Sequence, residues 1–205
     1  MMAGPTIFVI DDQKSIRHAL GEMLGVFGFT VETYESADSF LRAIGQPRGG
    51  CVVADVRMPG TDGIELVREL GRRKVALPVV LISGHADVPM AVAAIKSGAE
   101  DFIEKPIDDV QLVAAISRAL ARTFEQQDLR NSRQALGMKF ARLTPRQGEI
   151  FDLVVEGLTS YAIAAKLNIS VRTVESYRAE IMEKMQAESV AVLVRQAIRL
   201  GRIAP

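Results

Sequence analysis

Residues 51–73 read CVVADVRMPGTDGIELVRELGRR, and their reading decides the fold. A short, β-branched apolar run ends in the carboxylate of Asp55. Met58-Pro59-Gly60 then breaks the chain, as proline and glycine do at turns. From residue 63 to residue 73 the pattern is helical. The same strand–turn–helix unit recurs on both sides. Apolar runs stand at residues 6–10, 30–34, 78–83 and 101–103, and helical patterns at 14–27, 36–44, 88–97 and 108–122. In the first of these helices Ile16, Leu20, Met23, Leu24 and Phe27 fall at helical spacing. Five strand–helix units in a row predict an α/β fold, a doubly wound five-stranded parallel sheet with helices on both faces. The run from Val79 to Ile82 is apolar without alternation, as a strand covered on both faces should be.

From about Thr123 the pattern changes. Residues 123–137 are polar with spaced apolar points, and are expected to form a helical extension or linker that Gly137 breaks. Only helices follow. Thr144-Pro145-Arg146-Gln147 combines an N-cap threonine, proline at the first helical position and a capping-box glutamine. Gly157 should end that helix, Thr159 or Ser160 should cap a second, and Ser170 a third that runs to about Met185. A last helix is expected over 189–200. The division predicted is therefore a first domain over 1–122, a helical linker over 123–142 and a small all-α domain over 143–205.

Composition narrows the classes. The chain has 205 residues, 48% of them hydrophobic and 5% aromatic, with no Trp. Such a chain buries an aliphatic core and is neither disordered nor fibrous. One cysteine excludes an internal disulfide framework. No apolar run reaches the roughly 20 residues of a bilayer span, and the N-terminus lacks the basic-then-apolar pattern of a signal peptide. A soluble cytoplasmic protein that makes no use of the membrane is expected. The net charge of zero hides an asymmetry, with 13 Lys and Arg against 16 Asp and Glu up to residue 122, and 12 against 9 beyond it. Two modules with different partners are implied.

Chemistry in open α/β sheets sits at the carboxyl ends of the strands. The first run ends in Asp11-Asp12, the third in Asp55 and the fourth in Ser83, and the fifth leads to Lys105. Each has a bland reading: Asp12 and Ser83 as helix caps, Asp55 as a turn residue, Lys105 as a solvated charge. Together they read better as one site. Clustered carboxylates call for a divalent cation, and oxygen ligands suit Mg²⁺. A carboxylate can also attack phosphorus, with a metal, an ammonium and a hydroxyl neutralising the equatorial oxygens. Asp55, central in the sheet, is the natural nucleophile, and Asp11 and Asp12 the natural metal holders.

Ile10-Asp11-Asp12, Asp55-Val-Arg-Met-Pro-Gly-Thr-Asp-Gly63, Ser83-Gly-His85, Lys96-Ser-Gly-Ala99 and Phe102-Ile-Glu-Lys-Pro106 resemble the receiver domain of two-component response regulators over residues 6–122. The resemblance implies that Asp55 is the phosphoacceptor, and that Asp11, Asp12, Asp55 and the Arg57 carbonyl bind Mg²⁺. It makes Ser83 the switch hydroxyl, Phe102 the switch aromatic and Lys105 the phosphate-contacting lysine, with a cis peptide before Pro106. Ile107, where phenylalanine often follows the proline, is a departure in packing alone.

The second and third tail helices, joined at 167–170, fit a helix-turn-helix. Ile150, Leu153, Val154, Leu158, Ile163, Leu167, Val174, Ile181 and Met185 are its expected core. The polar face of the third helix carries Arg172, Thr173, Glu175, Ser176, Arg178 and Ala179, cations for phosphates beside short side chains for a groove. Leu143-Thr-Pro-Arg146, Glu156-Gly-Leu158, Leu167-Asn-Ile-Ser170, Thr173-Val-Glu175 and Met182-Glu-Lys-Met185 are similar to a LuxR-type helix-turn-helix domain. The two domains together resemble the FixJ/NarL class of response regulators, on the FixJ side of it in residues 83–106. That resemblance puts base-reading positions on Glu175, Ser176 and Ala179 and phosphate contacts on Arg172, Thr173 and Arg178. Tyr161, Tyr177 and Gln147 depart from the Lys, His and Glu common there.

The class implies a transcription regulator rather than an enzyme. Its partners would be a sensor histidine kinase, promoter DNA, a second copy after phosphorylation, and RNA polymerase. Rival readings are a phosphohydrolase with an aspartate nucleophile, whose relatives carry Asp-x-Asp on the first strand, and a receiver whose tail binds protein. No Gly-x-Gly-x-x-Gly follows the first strand, against a dinucleotide enzyme. Cys51 is expected to be a buried apolar group, His18 to be exposed, and His85 to be a surface residue in a loop that moves.

Overall fold

The computed structural model describes residues 5–45, 49–84 and 87–204. His85 and the first four residues, on which two of the expectations fall, lie outside them. Among the described residues the chain runs β1 (Thr6–Ile10), α1 (Lys14–Val26), β2 (Thr30–Tyr34), α2 (Ala37–Ala43), β3 (Gly50–Asp55), α3 (Gly63–Arg72), β4 (Val79–Ser83), α4 (Val88–Lys96), β5 (Asp101–Glu104), α5 (Asp109–Phe140), α6 (Pro145–Val155), α7 (Ser160–Leu167), α8 (Val171–Met185) and α9 (Val190–Leu200). Two compact units divide between Glu125 and Gln126.

In the first unit the strands form one parallel sheet in the order β2-β1-β3-β4-β5. The central strands are apolar throughout because each face has its own helical layer. Ile7 and Val9 of β1, Val53 of β3, Val80 and Ile82 of β4 and Ile103 of β5 meet Leu20 and Leu24 of α1 and Leu112 and Ile116 of α5. The alternate residues Phe8, Ile10, Val52, Ala54, Val79 and Leu81 meet Phe40 of α2, Leu66 and Leu70 of α3 and Ala94 of α4. Burying each large aliphatic or aromatic chain contributes roughly 1.5–3 kcal/mol, so a polar residue in either set would be felt at once. The strand order reverses between β1 and β3, which opens a crevice at their carboxyl ends.

Cys51 is fully buried, and burial pushes its thiol up to about 12, with the charge of Glu100 adding and a backbone hydrogen bond at Val80 opposing. His18 is exposed and stands 3.5 Å from Glu22 one turn on.

Gly137 does not break the helix. α5 continues through it to Phe140, and the Ala141 N–H donates to the Gly137 carbonyl at 2.9 Å. A mid-helix glycine costs about 1 kcal/mol relative to alanine. Burial of Leu136 and the edge-on packing of Phe140 against Phe151 at 5.1 Å outweigh that cost.

In the second unit α6, α7, α8 and α9 enclose Ile150, Leu153, Val154, Ile163, Val174, Ile181 and Met185. Phe151, Leu193 and Ala197 are core residues as well, absent from the expected set. Thr144 and Gln147 form the capping box of α6, and Thr159 and Ser170 cap α7 and α8. Asn168 takes the left-handed conformation that turns the chain between α7 and α8.

Candidate functional site

Parallel register brings the ends of β1, β3, β4 and β5 to one edge. Asp11 is fully buried and Asp55 is 6% exposed. The Lys105 ammonium donates to Asp55 Oδ1 at 2.6 Å and to Asp11 Oδ2 at 3.0 Å. Lys105 is therefore no solvated charge, its side chain being 19% exposed. Burial works to lower its pKa, but the hydrogen bonds and charges of Asp55 and Asp11 outweigh that, holding it above the ordinary lysine value. The peptide bond from Lys105 to Pro106 is cis.

The remaining carboxylate oxygens are tied to backbone. Asp11 Oδ1 accepts from the Gln13 N–H at 2.8 Å, and Asp55 Oδ2 from the Arg57 N–H at 2.7 Å. Asp12 is different. It follows Asp11 directly, yet its side chain is exposed and makes no hydrogen bond among the described residues. It does not cap α1 either, whose N-cap is Gln13 without a side-chain bond. Among the described residues no three carboxylate, imidazole or thiol groups stand close enough to hold an ion as they are. Lys105 gathers Asp11 and Asp55, and Asp12 stays outside. The donor chemistry nonetheless suits Mg²⁺, which takes one or two carboxylates and keeps several waters.

Ser83 is buried and its hydroxyl donates to the Met90 sulfur at 3.7 Å. It does not cap α4, because Asp87 does so through the Met90 N–H. Phe102 pairs with Leu81 in the sheet, two residues before Ser83 on the same face, and lies half-buried against the cluster that α2, α3 and α4 cover. The loop after Asp55 is closely packed. A Cβ on Gly63 would stand 2.5 Å from the Asp55 carbonyl, and Gly60 has φ +80° with Asp38 Oδ2 against it. The Thr61 hydroxyl donates to Asp38 Oδ1 at 2.7 Å, tying this loop to α2.

Of two supporting residues, Arg17 has no place in the sequence reading, and Gln147 enters it only as a helix-capping residue and a departure from the family's glutamate. Arg17 Nη1 donates to the carbonyls of Asp11 at 2.7 Å and Asp12 at 3.0 Å. Helical side chains lean toward the N-terminus, so a long cation five residues after Asp12 was the available signal. In the second unit, buried Gln147 donates to Glu180 at 2.5 Å and accepts from Lys184 at 2.7 Å, linking α6 to α8. Its amide does what a carboxylate at that position could not, since it donates as well as accepts.

On α8, Arg172, Thr173, Glu175, Ser176 and Ala179 are exposed and Arg178 is half-buried. The Thr173 and Ser170 hydroxyls share a hydrogen bond at 2.7 Å, and the Ser176 hydroxyl donates to the Arg172 carbonyl. Arg178 donates to Ser160 Oγ at 3.3 Å, at the start of α7. Tyr161, next to Ser160 in the chain, is exposed. No carboxylate pairs with Arg172 or Arg178 among the described residues.

Residues 7–117 match the response regulator receiver domain, and residues 141–197 match the bacterial regulatory proteins of the luxR family. The transcriptional regulatory protein FixJ of Azorhizobium caulinodans is 43% identical, over 97% of this chain and 94% of its own. FixJ of Rhizobium meliloti is 40% identical over 98% of both chains. Among solved structures, the response regulator StyR aligns over 95% of this chain and 98% of its own, with 38% identity and a TM-score of 0.85. Full-length FixJ from B. japonicum aligns over 98% of this chain and all of its own, with 40% identity and a TM-score of 0.62.

Proposed function

Because this chain belongs to the response regulators that join a receiver domain to a LuxR-type DNA-binding domain, two-component proteins that regulate transcription, we propose that Asp55 is the phosphoacceptor through which a sensor histidine kinase controls its binding to promoter DNA. The phosphohydrolase reading falls with that membership. The observation that carries the proposal is the ammonium of Lys105 held between Asp55 and Asp11 at the carboxyl edge of the sheet.

In the transfer, an Asp55 carboxylate oxygen attacks the phosphorus of the donor. The bond from phosphorus to the donor imidazole nitrogen breaks, its electrons leave on that nitrogen, and Asp55 becomes an acyl phosphate. Lys105 moves from the carboxylate to an equatorial phosphoryl oxygen. Asp11, Asp12, Asp55 and the Arg57 carbonyl would hold Mg²⁺, which when bound would supply further neutralisation of that charge. Ser83 turns its hydroxyl from Met90 to the new acceptor oxygens, and Phe102 follows into the space it leaves. The face of α4 and β5 then pairs with a second copy.

In the tail, Arg172, Thr173 and Arg178 hold phosphates while Glu175, Ser176 and Ala179 face base edges in the major groove. Arg172 and Arg178, which pair with no carboxylate among the described residues, support this assignment. The protein works in the cytoplasm, where promoter DNA and RNA polymerase are its further partners. The test is incorporation of label from an acyl phosphate or a phosphohistidine donor with Mg²⁺. Wild type should take up one acid-stable, base-labile phosphoryl group and Asp55→Asn none. Equal labelling of both would overturn the assignment.

A further inference from the structure

We propose that Arg17 is a positioning residue for the divalent-cation site, setting the peptide planes that aim the Asp12 carboxylate. This rests on the reading of Asp11, Asp12 and Asp55 as that site. Asp11 is fixed three times over without Arg17. Its N–H donates to the Tyr34 carbonyl at 3.2 Å, its Oδ1 accepts from Gln13 and its Oδ2 from Lys105. Asp12 has none of these restraints. Its side chain is exposed and, among the described residues, unbonded, and its carbonyl is held by Arg17 Nη1 at 3.0 Å. The same nitrogen holds the preceding carbonyl at 2.7 Å, so one guanidinium fixes two successive peptide planes.

The way Arg17 uses its charge matters. It is half-buried and, among the described residues, pairs with no carboxylate. A guanidinium bonded to the Asp12 carboxylate would compete with a metal for it. Bonded to the carbonyls, it leaves that carboxylate open and oriented. The helix gives no substitute, because the N-cap of α1 is Gln13 with no side-chain hydrogen bond to stiffen the first turn. Groups that orient ligands without touching the metal typically change its affinity by roughly tenfold to a hundredfold.

Charge and position predict opposite results. A cation near a metal site repels the metal, so if charge alone counted, Arg17→Gln would bind metal more tightly than wild type and Arg17→Lys equally well. If the two-carbonyl grip counts, both variants bind more weakly, because neither side chain reproduces it. The experiment is titration of the full chain with Mn²⁺, followed by electron paramagnetic resonance of the free ion. Amide hydrogen exchange is read in parallel, without metal. We expect the dissociation constant to rise about tenfold in both variants. Exchange should quicken at Asp12 and Gln13 while Ile7 and Val9 in β1 stay protected. Wild-type affinity in Arg17→Lys, or tightened binding in Arg17→Gln, overturns the positioning role. Arg17→Lys keeps the charge and most of the stem, and decides the matter if the glutamine variant does not fold. Wild type that binds no Mn²⁺ overturns the cation-site reading itself and the role of Arg17 with it, an outcome distinct from equal binding by all three proteins.

Discussion

Lys105 Nζ stands 2.6 Å from Asp55 Oδ1, across fifty residues of chain, and the same ammonium reaches Asp11. One cation thus compensates two buried carboxylates, and the site is organised before any phosphate or metal arrives.

Removing Lys105 leaves Asp11 and Asp55 facing each other in a nearly dry edge. Lys105→Met should lower stability by roughly 1–3 kcal/mol in a chelator, as an unpaired buried charge does. Saturating Mg²⁺ should recover part of that loss. The folded-state pKa of Lys105 is raised above its unfolded value of about 10.4. Its contribution is therefore full below about pH 10.4 and is lost as the pH climbs through the folded-state value. Urea denaturation of both proteins across an alkaline series checks this: a wild-type advantage that grows above pH 10.4 contradicts it.

Ser83 and Phe102 lie on one face of neighbouring strands. A phosphoryl group shifts their arrangement only through contacts that differ between the two states. Ser83→Ala should accept phosphate at Asp55 yet lose most of the phosphorylation-induced dimer, with an association constant several-fold weaker. Sedimentation of both phosphorylated proteins over a concentration series decides it, and superimposable profiles would remove Ser83 from the switch.

On α8, phosphate and base contacts leave different signatures. Arg172→Ala or Arg178→Ala should weaken specific and random DNA alike and flatten the salt slope by about one unit. Glu175→Ala should instead change which sites are selected, at roughly 1–3 kcal/mol for a good base contact. Selection of binding sites from random DNA by wild type and Glu175→Ala tests this, and identical motifs would leave Glu175 a solvated surface residue. Two α8 helices about 34–36 Å apart would select half-sites one helical turn apart.

Gln147 offers its amide hydrogen to Glu180 and its oxygen to Lys184. Gln147→Glu sets two carboxylates against each other with one lysine between them, and should cost about 1–2 kcal/mol. In a Glu180→Gln background the same change should cost little, since a donor again faces an acceptor. Denaturation midpoints of the four proteins form the cycle, and additive effects would show that the pair does not interact.

The alternation of apolar runs with helical patterns could be read directly because each depends on residues two to four apart, a spacing that any tertiary arrangement must respect. Thr144, Thr159 and Ser170 were readable as caps for the same reason, since a cap acts within three residues. The continuity of α5 through Gly137 is not legible locally, because a helix penalty is small beside the burial of Leu136 and Phe140, which involves residues distant in sequence. Phe151 escaped the expected core, yet its ring is fully buried against Phe140.

By itself, the sequence determined the succession of elements, the apolar faces of the sheet and the kinds of group gathered at its carboxyl edge. Those follow from periodicity and from the chemistry of aspartate, serine and lysine. Tertiary structure alone decided that Lys105 binds Asp55 and Asp11 while the Asp12 side chain, among the described residues, has no hydrogen-bond partner, and that Gln147 spans Glu180 and Lys184. The reason is geometric. Strand order and helix packing bring side chains tens of residues apart to within 3 Å, and at that range hydrogen-bond direction, rather than residue type, selects the partner.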